Sequence, residues 1–355
     1  MMLNTQKSMK STIRGIFNQE GDPISYQPHP LVYGRSLVGV EVELEGLYSM
    51  DSEVYDDLMN WNTIEDGSLR DSGYEFVLRK PKKGQRLIEA LEELEKFIQG
   101  YSEESGDVPK TSRRTSMHVH IDCRNLTGEQ VVNFYMLFTI LERTFFRVYG
   151  GDDGGSSRIN SNYTSPSFRS NKASTLSRMM TESQGAFSEA VRHSSKYSAL
   201  SLRTLSGIGT VEARLHRAVW RKDEMLLWIN TLLLLKEYVV NHELDYESVT
   251  STISMEGIDN FLMRLFDGHA DVVEGLISHE TPQEIMDGMR YVQDMILEKR
   301  KEGIHRGLLS PARGRKPKSH EFLNKADVSE EYCLYHDIDF EGNSFRMKDN
   351  EKGER

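Results

Sequence analysis

The segment SMHVHID, residues 116–122, alternates strictly between polar and apolar side chains. Successive side chains of a β-strand point to opposite faces, so His118, His120 and Asp122 share one face and the apolar residues among them share the other. Three further segments alternate in the same way, at 35–47, 73–79 and 210–219. The pattern predicts an antiparallel sheet with an apolar face under helices and a second face rich in carboxylate, imidazole and guanidinium groups.

The polar face of the first strand carries Glu41, Glu43 and Glu45, two residues apart from one to the next. Neighbouring carboxylates at this spacing lie about 7 Å apart and repel by roughly 2 kcal/mol at an effective dielectric near 20. A cation among them would remove that repulsion. The other strands add Glu75 with Arg79, and Glu212 with Arg214 and His216. Together the four strands favour a metal site over an ordinary half-solvated sheet face.

The mixture of ligand types indicates which metal to expect. Structural zinc sites use cysteines or a closed set of histidines, whereas carboxylates dominate here. Mg²⁺ and Mn²⁺ prefer carboxylate oxygens, tolerate an imidazole, and often also bind substrate phosphates. Arg214, with Arg203 and Arg79, would supply partners for phosphate or carboxylate groups. The combination favours phosphoryl transfer from ATP, in which positioning and charge neutralisation dominate.

Simpler interpretations of individual residues stay open. His118 and His120 could be a hydrogen-bonded pair on a wet face, and Glu212 with Arg214 a structural ion pair. Asp66, in the sequence Asp-Gly-Ser, is also typical of a turn. Glu45, at the strand end, could be solvated.

The rest of the chain predicts an α+β domain. The helical spacing of apolar residues predicts five helices, and Thr127 with Gln130 predicts a capping box at the start of the helix over 128–149. The predicted helices are 84–99, 128–149, 222–241, 255–267 and 282–300. A short strand is predicted at 196–202, and a long Gly/Ser/Asn loop at 150–175. We divide the chain into an irregular arm (1–30), one catalytic domain (31–300) and a charged, partly disordered tail (301–355).

Composition and short motifs exclude several classes of protein. The net charge of −11 argues against a protein whose main function is to bind nucleic acid. The longest apolar stretch, 225–235, is too short to span a membrane, and the N-terminus lacks the apolar core of a secretory signal. Two distant cysteines fit a reducing, cytoplasmic setting. No Walker or dinucleotide-binding glycine motif is present.

Four motifs taken in order resemble a known family. They are E-x-E at 41–43, Asp66-Gly67-Ser68 followed by Glu75, M-H-V-H at 117–120, and V-E-x-R at 211–214. Their order and their positions on predicted strands resemble the carboxylate–amine ligases of the glutamine synthetase and glutamate–cysteine ligase superfamily. Within it, the chain is most similar to the amidoligases, some of which are phage-encoded. The resemblance covers roughly residues 35–240.

The resemblance implies a fold, a cofactor and a set of roles. It implies a curved antiparallel sheet, backed by helices, whose polar face forms a funnel for ATP and two or three Mg²⁺ or Mn²⁺ ions. The implied metal ligands are Glu41, Glu43, Glu75, His118 and Glu212. His120 and Arg203 would lie near nucleotide phosphates, and Arg214 would stabilise the transferred phosphoryl group. Glu45 or Asp66 would accept the proton of the attacking amine.

The implied reaction joins a small-molecule or peptide carboxylate to an amine through an acyl phosphate, in the cytoplasm (the host cytoplasm if the chain is phage-encoded). Several members of the superfamily form rings or dimers, so a homo-oligomer stays open. Two other classes stay open. One is a different metal-dependent enzyme on the same sheet, such as a guanidino phosphotransferase or a metallohydrolase. The other is a non-catalytic virion or binding protein. No nucleic acid or membrane partner is expected.

Overall fold

The structure is a computed structural model of the whole chain. It describes residues 9–19, 29–50, 58–151, 158–161, 164–167, 179 and 184–305, with side chains up to residue 297. Those residues form a mixed α+β fold, which confirms the fold class at that level.

A single antiparallel sheet organises the described residues. Its strands are β1 (Val38–Leu44), β2 (Trp61–Glu65), β3 (Tyr74–Leu78), β4 (Ser116–Asp122), β5 (Leu200–Ser201) and β6 (Thr210–Arg217). Their order across the sheet is β2-β3-β1-β4-β6-β5. The sequence did not predict β2, an edge strand whose mostly exposed residues give no clear alternation. The strand predicted at 196–202 is confined to Leu200–Ser201.

The helices of the described chain are α1 (Ile13–Phe17), α2 (Gln85–Ser105), α3 (Gly128–Tyr149), α4 (Gln184–Arg192), α5 (Lys222–Asn241), α6 (Tyr246–Glu256), α7 (Ile258–Leu265), α8 (Ala270–Leu276) and α9 (Thr281–His305). The predicted helices α3 and α5 are confirmed, as is the capping box at Thr127. Helix α2 runs beyond Gly100, because buried Tyr101 continues its apolar stripe, and ends at Gly106 with φ of 76°. The helix predicted over 255–267 is confined to α7, because Gly257, with φ of 78°, separates it from α6, which the sequence did not predict.

The core lies between the sheet and its helices. The apolar side chains of β1, β4 and β6 are buried, including Val40, Val119 and Val211. Helix α3 contacts β6, α5 contacts β4, and α9 packs along α3. Each fully buried aliphatic side chain contributes roughly 1.5–3 kcal/mol. This burial fixes which face of each strand points inward, and therefore gathers the polar side chains of β1, β4 and β6 on the opposite face.

The two ends of the chain differ in what the structure describes. Within the predicted irregular arm, residues 13–17 form α1, and the backbone N–H of Ile13 donates to the carbonyl of Leu126 at 2.7 Å. The predicted tail, after His305, lies outside the described residues. None of the described helices is both long enough and apolar enough to cross a membrane.

Candidate metal centre

The register of the sheet brings the predicted metal ligands together. Residues directly opposite one another on antiparallel strands share a face and lie about 5 Å apart. The opposed pairs are Glu75 with Glu43, Glu41 with His118, and His120 with Glu212. These pairs form a continuous polar cluster across β3, β1, β4 and β6, although the residues are up to 171 positions apart in sequence (212 − 41).

Two overlapping groups in this cluster have the geometry to hold a metal ion. In each, one ligand atom per residue lies within 4.8 Å of the others. The groups are Glu41, Glu75 and His118, and Glu41, His120 and Glu212. Glu41 belongs to both and could bridge two cations. His120, predicted to lie near phosphates, is thus also within ligand distance. Within the described chain Glu43 belongs to neither group.

His118 is 2% exposed and is held at both ring nitrogens. Its Nε2 lies 2.6 Å from the Oγ of Ser116, which itself donates to Oε2 of Glu43 at 2.5 Å. Its Nδ1 lies 3.0 Å from Oε2 of Glu41 and 3.9 Å from Oε1 of Glu212. The single hydroxyl proton of Ser116 goes to Glu43, so the Nε2 of His118 must donate. In a neutral imidazole, Nδ1 then presents a lone pair to two carboxylates, and a cation between them would remove the repulsion.

His120 forms the second half of the cluster. Its Nδ1 lies 3.1 Å from Oγ1 of Thr210, and its Nε2 lies 3.3 Å from Oε1 of Glu41 without well-aligned hydrogen-bond geometry. Opposite its Cα on β1 is Gly39, where a Cβ would come within 3.3 Å of the His120 Cβ. The absence of a side chain at Gly39 therefore leaves room for the imidazole.

The surroundings of the cluster shift the pKa values of two neighbouring carboxyl groups in opposite directions. Burial opposes ionisation of Glu41, but its close contacts with the imidazoles of His118 and His120 outweigh burial and hold the pKa of Glu41 well below its usual range. Burial and the nearby charges of Glu41, Glu43 and Asp66 raise the pKa of Glu75 to about 7. Burial lowers the pKa of His120, but its contacts with Glu41 leave it raised. Negative charge is thus concentrated on Glu41, where the two groups meet.

Arg214 forms an ion pair with Glu212 beside the second group. Its backbone carbonyl accepts a hydrogen bond from the guanidinium of Arg158 at 3.2 Å. Arg158 is fully buried and also donates to the carbonyls of Arg113 and Thr115. Arg158 thus connects the described residues 158–161 to the segment just before β4 and to the middle of β6.

A β-bulge changes the predicted face of His216. Met117 is opposite His216 and Val119 is opposite Ala213, so β4 has one residue between the pairs where β6 has two. The extra residue reverses the alternation, and His216 points to the helix side. There it stacks on Tyr149 with ring centroids 5.4 Å apart. The expectation that it shares a face with Glu212 and Arg214 is wrong.

The remaining predicted residues are not ligands of either group. Glu45 is buried and accepts the backbone N–H of Arg70 at 2.9 Å. Asp66 accepts the backbone N–H and the hydroxyl of Ser68, as a turn former does, yet its charge reaches Glu75. Arg203 is exposed in a short 3₁₀ turn, and within the described residues it forms no ion pair with the cluster.

Two residues that the sequence did not single out, Ser116 and Gly39, also shape the cluster. Ser116 stands two positions before His118 and therefore shares its face, a spacing that could have identified it. Gly39 stands two positions before Glu41, but only the pairing of β1 with β4 shows its role. The donor set, carboxylates with imidazoles and no cysteine, fits Mg²⁺ or Mn²⁺. Comparison of the chain with models of known protein families and with curated protein sequences gave no match.

Proposed function

We propose that this chain is an ATP-dependent carboxylate–amine ligase that acts with Mg²⁺ or Mn²⁺. The observation that carries the proposal is the polar cluster itself. The imidazoles of His118 and His120 and the carboxylates of Glu41, Glu75 and Glu212 form two overlapping groups, in each of which the ligand atoms lie within 4.8 Å of one another, and Arg214 lies beside the second. Such a set binds divalent cations and an anionic substrate group on one sheet face.

Glu41, Glu75, His118, His120 and Glu212 would hold the cations. Glu43 would assist either as a further ligand or through Ser116. When bound, divalent cations neutralise the phosphates of ATP and reduce their repulsion for an incoming carboxylate. Arg214 would donate to the transferred phosphoryl group, since its Nε has no hydrogen-bond partner among the described residues. A funnel-shaped polar face and a phosphate-binding role for Arg203 are further parts of the proposal.

The proposed reaction has two steps. The substrate carboxylate attacks the terminal phosphoryl group of ATP, giving an acyl phosphate and ADP. An amine then attacks the acyl carbon and phosphate leaves, giving an amide. Of the two candidate bases, Asp66 is more accessible than Glu45, whose carboxylate is buried against the backbone of Arg70.

The test measures products rather than ATP loss alone. Purified protein is supplied with ATP, Mg²⁺, and panels of carboxylates and amines, and ADP, phosphate and amide are quantified. We expect stoichiometric amounts of the three products, only when both substrates are present, and none from Glu41→Gln. ADP without phosphate, accompanied by a phosphorylated guanidino compound, would instead identify a phosphotransferase. Turnover that persists in Glu41→Gln would refute the proposal.

A further inference from the structure

The hydrogen-bonded chain from Glu43 through Ser116 to His118 is not explained by metal binding alone. Ser116 is 1% exposed, and its Oγ lies 2.5 Å from Glu43 and 2.6 Å from the Nε2 of His118. We infer that Ser116, anchored by Glu43, is a positioning residue that keeps the proton of His118 on Nε2 and so reserves Nδ1 for the cation. The inference rests on the metal site in the proposed function.

The direction of the chain follows from counting protons. An ionised carboxylate only accepts hydrogen bonds, so Glu43 takes the one hydroxyl proton of Ser116. The Oγ of Ser116 then has only lone pairs to offer to Nε2. His118 must therefore donate from Nε2, and the neutral ring is left with its lone pair on Nδ1.

The orientation of the ring agrees with this assignment. It is Nδ1 that faces Glu41 at 3.0 Å and Glu212 at 3.9 Å, whereas Nε2 points away from them. A metal-bound histidine generally donates its second N–H to a group that fixes the ring. Ser116 takes that place here, and the buried carboxylate of Glu43 fixes Ser116 in turn.

Glu43 thereby has a different role from Glu41, two residues before it on the same strand. Among the described residues, Glu43 is absent from both groups of atoms that could bind one ion. Its carboxylate is already engaged by Ser116 in a buried setting, where such a hydrogen bond is strengthened by the low dielectric. Glu43 therefore acts on the metal through Ser116.

The test is Mn²⁺ binding without nucleotide or substrate, measured from the electron paramagnetic resonance of free Mn²⁺. Wild type is compared with Ser116→Ala, Glu43→Ala and the double variant. We expect Ser116→Ala to weaken binding by about 10–100-fold, as removal of an outer partner of a ligand does. Because Glu43 acts through Ser116, the double variant should bind no more weakly than Ser116→Ala. Losses that multiply would make Glu43 a direct ligand and overturn the inference.

Two control variants separate positioning from damage to the fold. Ser116→Thr keeps the hydroxyl and should bind Mn²⁺ within a few-fold of wild type. Ser194→Ala removes another buried serine, whose hydroxyl donates to the carbonyl of Val191, and should bind as wild type does. Circular dichroism verifies that each variant is folded. Should Ser116→Ala fail to fold, Glu43→Ala decides: a loss of about 10–100-fold supports the inference, whereas unchanged binding or a loss beyond about 100-fold overturns it.

A spectroscopic readout tests the tautomer directly. In ¹⁵N-histidine-labelled protein saturated with Mg²⁺, the signals of His118 are assigned by their absence from His118→Gln. We expect a protonated Nε2 and an unprotonated Nδ1. The opposite tautomer would refute the inference. If wild type binds neither Mn²⁺ nor Mg²⁺, the proposed function itself fails; if it binds and Ser116→Ala binds equally well, only this inference fails.

Discussion

Two histidines on neighbouring strands are almost equally buried but face opposite sides of the sheet. His118, 2% exposed, lies among carboxylates on the polar face, whereas His216, 3% exposed, lies against Tyr149 and Trp228 on the helix side. The first surrounding favours a cation. The second forms no ion pair with a carboxylate among the described residues, and burial lowers the pKa of His216 to about 4. Burial alone thus does not define a functional histidine; the charges that share its face do.

The largest expected effect is a loss of metal binding in one histidine variant and not in the other. Substituting His118 by alanine removes a direct ligand, so Mn²⁺ binding should weaken by about 1,000-fold, beyond the range for outer partners. His216→Leu should bind as wild type does, because the side chain lies on the opposite face. Both are measured by Mn²⁺ titration. Equal losses in the two variants would contradict the comparison.

Lowering the pH should reveal how the apolar surrounding of His216 affects the stability of the fold. His216 has an unfolded pKa near 6.5 and a folded pKa of about 4, so the unfolded chain takes up its proton first as the pH falls. Its contribution is therefore complete above pH 6.5 and is lost as the pH falls through 4, a change of roughly 3 kcal/mol. The free energy of unfolding, measured in urea at pH 7 and pH 4.5, should fall less in His216→Leu than in wild type. The same fall in both would show that His216 is not the cause.

Glu75 should give the opposite pH dependence. Its folded pKa of about 7 lies above the unfolded value of 4.5, so the stability it contributes is full below pH 4.5 and declines as the pH rises through 7. Glu75→Gln should therefore make the metal-free chain more stable at pH 8, by about 1 kcal/mol after allowing for solvent screening. Exposed Glu65 on β2 supplies the control, Glu65→Gln, which should change little. Urea unfolding with a chelator present measures both. A less stable Glu75→Gln at pH 8 would contradict the sign.

The difference between the two histidines also marks what the sequence could predict. The helices α3 and α5 and the apolar faces of β1 and β4 follow from local periodicity, so those predictions are confirmed. The face of His216 does not, because the bulge in β6 exists only in its pairing with β4. The alternation in the sequence continues unbroken through that position and predicts the wrong side.

The residues of the candidate metal centre likewise divide into those that the sequence predicts and those that it does not. Glu41, His118 and Glu212 are conspicuous because alternating strands seldom carry rows of carboxylates and imidazoles, and the structure brings them together. Ser116 was overlooked because a serine on a strand suggests no chemistry until its two partners are known. The separate position of Glu43 likewise depends on where its carboxylate points, which residue type and spacing do not determine.

The smallest expected effect concerns the space beside His120 and tests whether the polar side of the sheet is as closely packed as the helix side. In Gly39→Ala the new Cβ would meet the His120 Cβ at 3.3 Å, so the imidazole must move by a few tenths of an ångström. Since ligand geometry is sensitive to such shifts, Mn²⁺ binding should weaken by about 2–5-fold. Gly100→Ala is the matched control, because a Cβ there meets no neighbour within 4 Å. Titration with Mn²⁺ compares the two variants. Unchanged binding in Gly39→Ala would show that the second group of ligands, around His120, contributes little to holding the ion.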